Sequence, residues 1–426
     1  MFPALRLQVP TLSARISPAV TASTLARLIA SGVATSKAEL VRVTGLSRST
    51  VDAGLQQLAH LGAIRGIGFQ QATGRGRRAE LLEVDPSFGV TTVIDFGARL
   101  ARIAVADLGQ NLMGYRELAL DIASGPALAL EQALQQAEEL LELADLREHY
   151  RVTVIGVPGP VDSRTGTVVR PPIMPGWDGY DIAAHVGARL GGDVLVANDV
   201  NLRALGEARA SQSSRPLLYV KIGTGIGAGF TTAQGDLLSG ADGAAGDIGH
   251  LRAFGSTAQC ACGHVGCLEA TASVSAIARL LYADAEDGVE RLFDAIREGD
   301  SEARSALSDA ARVIGAVIAD LVHFYNPGQV LLGGEIASAS EEILTGVRRV
   351  VYGHALPLAT RSLSIEASPL GQRAGIAGGL VLGTEAALKP ERIEYMHSRL
   401  EQRQRLAENI RRQTGVPARS QVVPAA

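Results

Sequence analysis

The amino-acid sequence predicts an α/β protein that carries a small helical domain at its N-terminus. Three observations lead there. Its 426 residues exceed what one ordinary hydrophobic core organises, so two or three domains are expected. Beyond residue 86, apolar runs such as VTTVIDF, VTVIGV, VLVAN and LLYVKI alternate with longer Leu/Ala-rich amphipathic stretches, as buried strands alternate with helices. Before residue 86 the runs are short, helical in spacing and basic. Residues 1–80 hold ten Arg and Lys against Glu39, Asp52 and Glu80, a balance of +7 that leaves −11 for the rest of a chain whose total is −4. A basic head on an acidic body points to a polyanion partner at one end.

The head reads in order. Arg6, Arg15 and Arg27 are met before any acid, a composition shared by transit peptides and by arms that enter a basic domain; residues 1–22 are read as a flexible arm. Residues 23–86 follow as a winged helix-turn-helix. Leu25, Leu28 and Ile29 mark a first helix, Leu40 and Val41 a second, and Val51, Leu55, Leu58 and Leu61 a third. Thr44-Gly45-Leu46 supplies the tight turn, with glycine where a left-handed residue is needed. Ser47 is placed to cap the third helix. Arg48, Ser49 and Thr50 then lie on its first turn, where recognition helices meet major-groove base edges. Two short strands, 63–68 and 79–84, flank QQATGRGRR, whose Arg75, Arg77 and Arg78 suit phosphates or a minor groove. A helical protein-contact module with a solvated basic loop is the alternative.

The body opens after Asp85-Pro86 with a hairpin of buried strands and a helix over 127–146. VTVIGVPGPVD is a strand entering a Gly/Pro loop, and Trp177, the only tryptophan, sits in irregular RPPIMPGWDGYDI. VLVAN ends at Asn198 and Asp199, a usual place for a functional carboxylate in α/β proteins; a plain helix cap accounts for the same pair. GTGIGAG is a Gly-rich hairpin turn whose N–H groups could hold phosphate. Residues 389–426 read as a surface helix and tail. No run of eighteen uncharged apolar residues occurs, so no membrane span is expected. Cysteine usage makes the cytoplasm the expected compartment.

Residues 246–269 hold all three cysteines of the chain. His250, Cys260, Cys262 and Cys267 offer one imidazole and three thiolates, the donor set of a closed tetrahedral zinc site, with His264 as the substitute ligand. Three small hydrophobes in a core are the plainer reading, but core packing gives no reason for C-x-C-x4-C behind Gly-His.

In this order the motifs G-D-I-G-H (246–250), C-A-C-G-H-V-G-C-L-E (260–269), V-P-G-P-V-D (157–162) and G-T-G-I-G-A-G (223–229) resemble the ROK family of repressors, open reading frames and kinases. The resemblance covers residues from about 23 to 388. It implies a two-lobed actin-like and hexokinase-like (ribonuclease H-like) sugar-kinase fold, with lobes over 87–205 and 206–388 and a sugar cleft between them. Asn198 then resembles a sugar-hydroxyl binder and Asp199 the kinases' general base. Asp247 and Glu269 would hold further hydroxyls, and His250 would serve metal and sugar with its two nitrogens. Asp95, Gly97, Gly223, Thr224, Gly225, Gly333 and Gly334 match the nucleotide site. Three departures stand out: Asp95-Phe96-Gly97-Ala98-Arg99 replaces the kinases' D-x-G-G-T turn, Asp247 stands where Glu is usual, and Ile173 where Asn is common.

The expected function is therefore a sugar-responsive transcriptional regulator of carbohydrate metabolism genes, a repressor with a zinc-stabilised cleft, a vestigial ATP site and a vestigial base at Asp199. Its expected partners are an operator in double-stranded DNA, a sugar or sugar phosphate, a second copy in a homodimer or homotetramer, and a sugar-transport protein. An active ATP-dependent sugar kinase with an added DNA-binding head is the alternative.

Overall fold

The structure, a computed structural model, describes residues 2–10, 17–69, 79–146, 149–211, 213–283 and 285–414. The head consists of α1 (Pro18–Ala30), α2 (Lys37–Thr44), α3 (Arg48–His60) and a hairpin of β1 (Ile64–Phe69) with β2 (Glu80–Val84). Helix α1 starts at Pro18 because Ser17 caps it and Pro18 sits in the first turn, where a missing N–H costs nothing. Gly45, at φ 68°, closes α2, and the Ser47 hydroxyl accepts the Thr50 N–H at 3.1 Å to start α3. Leu25, Leu40, Val51 and Leu58 are fully buried between these elements. The wing-tip residues Arg75, Arg77 and Arg78 lie outside the described residues.

A capping box opens α2. The Glu39 carboxylate accepts the Thr35 and Ser36 N–H groups, both at 3.0 Å, and these bonds, that to Thr35 foremost, hold its carboxyl below the usual range. Glu39→Ala is expected to destabilise the head by about 0.5–2 kcal/mol, measured as a lower urea midpoint at neutral pH. A depressed carboxyl stabilises above its unfolded value and loses that contribution as pH falls through the folded one. The gap between wild type and variant should therefore close in acid.

The first lobe is a five-stranded sheet in the order β5-β4-β3-β6-β9, built from β3 (Val90–Phe96), β4 (Leu100–Asp107), β5 (Leu112–Ala119), β6 (Arg151–Val157) and β9 (Asp193–Asn198). Strands β7 (Val161–Asp162) and β8 (Thr167–Val168) form a small separate hairpin. Helices α4 (Pro126–Leu143), α5 (Ile182–Leu190) and α6 (Asp199–Ala210) complete it. Trp177 is fully buried, edge-on to Phe96 with ring centroids 5.8 Å apart, and its indole N–H donates to the Ile122 carbonyl. This anchors the irregular Pro-rich segment.

The second lobe has a four-stranded sheet ordered β11-β10-β12-β13, formed by β10 (Leu217–Ile222), β11 (Ile226–Thr231), β12 (Gln329–Gly333) and β13 (Ser364–Ala367). Around it lie α7 (Leu268–Ala272), α8 (Val274–Tyr282), α9 (Gly288–Glu298), α10 (Ser301–Tyr325), α11 (Glu335–Ala339), α12 (Glu341–His354) and α13 (Pro357–Thr360).

Two expectations about domain boundaries are corrected. Helix α14 (Ala374–Ala387), expected in the second lobe, packs on the first. Gly378 and Gly379 have no room for a Cβ, which would fall 1.8 Å from the Leu202 carbonyl and 2.4 Å from Val93. The boundary expected at 205/206 also falls inside α6, which continues to Ala210. The flexible arm is not found over residues 2–10, where Leu5 and Leu7 are buried in a core shared with the head and the first lobe. Their apolar side chains supply the reason. Finally, α15 (Pro390–Thr414) is anchored by fully buried Ile393 and by Arg392 stacked on the Tyr150 ring at 4.2 Å.

Candidate functional site

A cavity of about 140 Å³ lies between the lobes. Its floor is the C-terminal end of β9 and the start of α6, and one wall is formed by Thr224 and Gly225 in the turn between β10 and β11. Asn198, Asp199, Asp247, His250 and Glu269, all expected to bind sugar, line it together with Thr224, Lys221 and the apolar Pro158, Pro160 and Ile173. Asn198 is also the α6 cap. Its carbonyl oxygen accepts from Val200 and Asn201, and its amide donates to the Gly159 carbonyl at 3.0 Å. Asn198 thus both caps the helix and lines the cavity, with one amide proton unpaired among the described residues. Glu269 accepts the Ile226 N–H at 3.1 Å, so strand β11 aims its carboxylate.

Asp199 is nearly sealed, its side chain 2% exposed, and Oδ2 faces two cations. Lys221 Nζ lies 2.5 Å away and Arg203 Nε 3.8 Å away. Arg203 in turn donates to Asp95 Oδ2 at 2.9 Å, and Asp95 is fully buried. Burial pushes the Asp95 carboxyl upward, and the adjacent Arg203 offsets part of that push. A continuous chain, Asp95–Arg203–Asp199–Lys221, therefore runs from the first-hairpin turn to the cleft. Neither cation was singled out from sequence, although both left a signal: Lys221 interrupts the apolar run LLYVKI, and Arg203 stands four residues after Asp199.

Of the remaining nucleotide-turn residues, Gly333 and Gly334 are accounted for by packing. A Cβ on Gly333 would fall 1.9 Å from Tyr219 Oη, and one on Gly334, at φ 95°, 2.0 Å from the Ile222 carbonyl. Gly97 closes the β3–β4 turn by donating to the Leu100 carbonyl, and Gly223 donates to that of Gly225.

The cysteine loop adjoins the cleft. His250, Cys260, Cys262 and Cys267 present ligand atoms all within 4.8 Å of one another, a group that can hold a metal ion. His250 Nδ1 lies 3.7 Å from Cys260 Sγ, and Cys262 Sγ 3.7 Å from Cys267 Sγ. A tetrahedron with metal–sulfur bonds of about 2.3 Å has edges of roughly 3.8 Å; the two 3.7 Å pairs match that edge, and donors spread over no more than 4.8 Å need to draw in by at most about 1 Å to hold such an ion. Burial pushes the Cys267 thiol up to about 12, while the His264 backbone N–H draws Cys262 down to about 6. A divalent cation would favour the thiolate at all three. His264 lies outside the four-residue group, its Nδ1 3.4 Å from Cys262 Sγ.

The same short elements carry metal donors and cleft residues. His250 ends the 3-10 turn Ile248–His250 that Asp247 precedes, and Cys267 stands immediately before α7, whose first turn holds Glu269. With Nδ1 toward the cysteines, His250 Nε2 lies 3.9 Å from Asp247 Oδ1 on the cleft side.

In the head, Ser47, Arg48 and Ser49 are exposed at the N-terminus of α3 and Thr50 is half-buried. The Ser47 hydroxyl lies 2.9 Å from that of Ser49 and 2.8 Å from that of Thr50. These hydroxyls and the Arg48 guanidinium form a polar edge suited to base or phosphate contacts.

A sequence model of the ROK family matches residues 91–386. The chain is 30% identical over 361 residues to a protein of Caldicellulosiruptor sp. (strain Rt8B.4) provisionally named a xylose repressor, covering 80% of this chain and 90% of that one. It is 34% identical over 263 residues to a glucokinase of Thermotoga maritima, covering 57% and 81% respectively. A crystal structure of a ROK family transcriptional regulator, homolog of the E. coli MLC protein, superposes with a TM-score of 0.73 at 23% identity, covering 90% of this chain and 99% of that one. The two-lobed sugar-kinase fold, the interlobe cleft and these matches together establish that the chain belongs to the ROK family.

Proposed function

We propose that the protein is a sugar-responsive DNA-binding regulator of carbohydrate metabolism genes, acting as a repressor. The observation that carries this reading is the Asp95–Arg203–Asp199–Lys221 chain. Phosphoryl transfer needs a free carboxylate to accept the sugar hydroxyl's proton and a turn open to nucleotide. Here Asp199 Oδ2 already accepts from Lys221, and Asp95 is sealed against Arg203. The cleft keeps its candidate hydroxyl-binding groups, while the carboxylate oxygen that phosphoryl transfer would use is already engaged by a cation. Zinc in the cysteine loop holds His250, Asp247 and Glu269 in place as its walls. The protein works in the cytoplasm as a dimer whose two heads read a pseudo-palindromic operator.

An effector shifts DNA affinity only through different affinities for two arrangements of the protein. Purified protein is expected to retard a duplex from its own upstream region at moderate salt, with D-xylose, D-glucose or N-acetylglucosamine changing that affinity. No retardation with or without sugar would remove the reading. The kinase reading draws on the glucokinase match and on the retained Asp199. Sugar-dependent release of ADP, abolished by Asp199→Ala, would establish it instead.

A further inference from the structure

We infer that residues 2–10 form a strap through which α6 transmits the state of the cleft to the DNA-binding head. The inference rests on the regulator reading above and names how that regulation is carried.

Helix α6 joins both ends of the path. Its first residue, Asp199, lies in the cleft, and its last turn meets the strap. The Arg6 N–H donates to the Arg209 carbonyl at 3.0 Å, and the Arg6 guanidinium donates to the Ala208 carbonyl at 2.8 Å. A cation on these end carbonyls is the favoured partner of a helix C-terminus. The twelve residues of α6 span roughly 18 Å at about 1.5 Å per residue. Little slack exists along that length. A Cβ on Gly229 of β11 would fall 2.5 Å from Ala204 Cβ, and one on Gly206 would fall 2.2 Å from the Ala374 carbonyl. A helix packed this closely moves as a body.

The strap's other edge is tied to the head. Arg27 of α1, only 6% exposed, donates from Nη1 to the Gln8 carbonyl and from Nη2 to the Glu385 carbonyl, both at 2.6 Å. Glu385 Oε1 accepts the Gln8 N–H at 2.5 Å and lies 3.4 Å from Arg209 Nη2. Gln110, in the turn after β4, donates from one amide nitrogen to the Leu5 carbonyl at 3.1 Å and to the Ala30 carbonyl at 3.2 Å. The strap therefore touches the last turn of α6 on one side and α1 on the other. A sugar hydroxyl reaching Asp199 competes with Lys221 for its carboxylate, so ligand acts on the first turn of this same helix. A shift of α6 moves the carbonyls that hold Arg6, and the strap carries it to Arg27.

The test uses full-length protein, the upstream duplex, and D-xylose, D-glucose and N-acetylglucosamine as probes. Arg6→Ala removes the guanidinium and keeps Leu5 and Leu7. It is expected to bind sugar and DNA within about twofold of wild type. Its sugar-induced change in DNA affinity, which typical couplings put at roughly 5–150-fold, should fall toward unity. In wild type the same sugar should change hydrogen exchange at the Arg6 and Gln8 amides by about tenfold or more, a readout independent of the variant's folding. An Arg6→Ala protein with the full response, or strap amides indifferent to sugar in a responsive wild type, would overturn the strap alone. A wild type that binds sugar and DNA with no effect of one on the other would overturn the regulator reading itself.

Discussion

Cys260→Ser is expected to abolish metal binding and, with it, the sugar response. Wild-type protein should contain about one zinc per chain, and the variant close to none. Structural zinc sites hold their metal with apparent free energies of about 10–16 kcal/mol in small peptides, far more than the few hydrogen bonds within this loop could replace. Those include Cys260 N–H to the His264 carbonyl and Gly263 N–H to the Cys260 carbonyl. In the variant, without metal and without the Cys260 thiol, His250 Nδ1 loses the partners that turn it to the cysteines, and Nε2 loses its aim at the cleft. The fold itself should survive, because the buried second-lobe core is built on β10, β12 and the helices around them, with Leu218, Val220, Val330 and Leu332 all 1% exposed or less. Sugar affinity should fall by about tenfold or more, followed by calorimetry, while DNA binding by the head persists. A chelator should reproduce the effect. A zinc-free protein with an intact sugar response would refute the metal's role.

Arg203→Met, in the buried charge row beneath the cleft, should be strongly destabilising. It leaves Asp95 fully buried without its cation, and breaking a buried pair in this way costs about 3–5 kcal/mol. The loss should have a definite pH dependence. Burial raises the Asp95 carboxyl above its ordinary 3.8, and removing Arg203 raises it further. In the variant the native state then holds a proton that the unfolded state has released, across the window between the ordinary value and the raised one. Stability falls as pH rises through that window. The deficit relative to wild type should therefore be smaller near pH 4 and grow as pH rises toward neutral, as measured by urea denaturation. A deficit independent of pH would show that Asp95 is not the group left unpaired.

Much of this site was legible because its signals are local. The capping serine of α3, the Gly45 turn, the Cys/His spacing and the Asn198-Asp199 pair are all set by neighbours within a few residues, and spacing alone reveals them. Glu269 and Asp247 came from the family resemblance, since only the folded loop brings both to the cleft. The strap was misread because composition counts the arginines without showing what they bond: Arg6 ties to the end of α6, and Arg27 is buried against Gln8 and Glu385. Leu5 and Leu7 find their partners on α1 and the first lobe, whose positions no local pattern encodes. The lobe boundary failed for a similar reason: the glycines of α14 indicate close packing but not against which helix.

The amino-acid sequence by itself determined the order of elements, the helix-turn-helix of the head, the clustering of the four metal donors and the Asn198-Asp199 pair at a strand end, because each depends on periodicity, capping or spacing along the chain; the remaining cleft residues came from the family resemblance. Tertiary structure alone decided what those residues are free to do. Asp95, Arg203, Asp199 and Lys221 are separated by up to 126 positions, yet they meet as one alternating row of charges because β3, α6 and β10 converge beneath the cleft. Coulombic pairing acts through space at a few ångströms, most strongly where water is excluded. The contrast between a carboxylate ready for catalysis and one already engaged is therefore decided by packing.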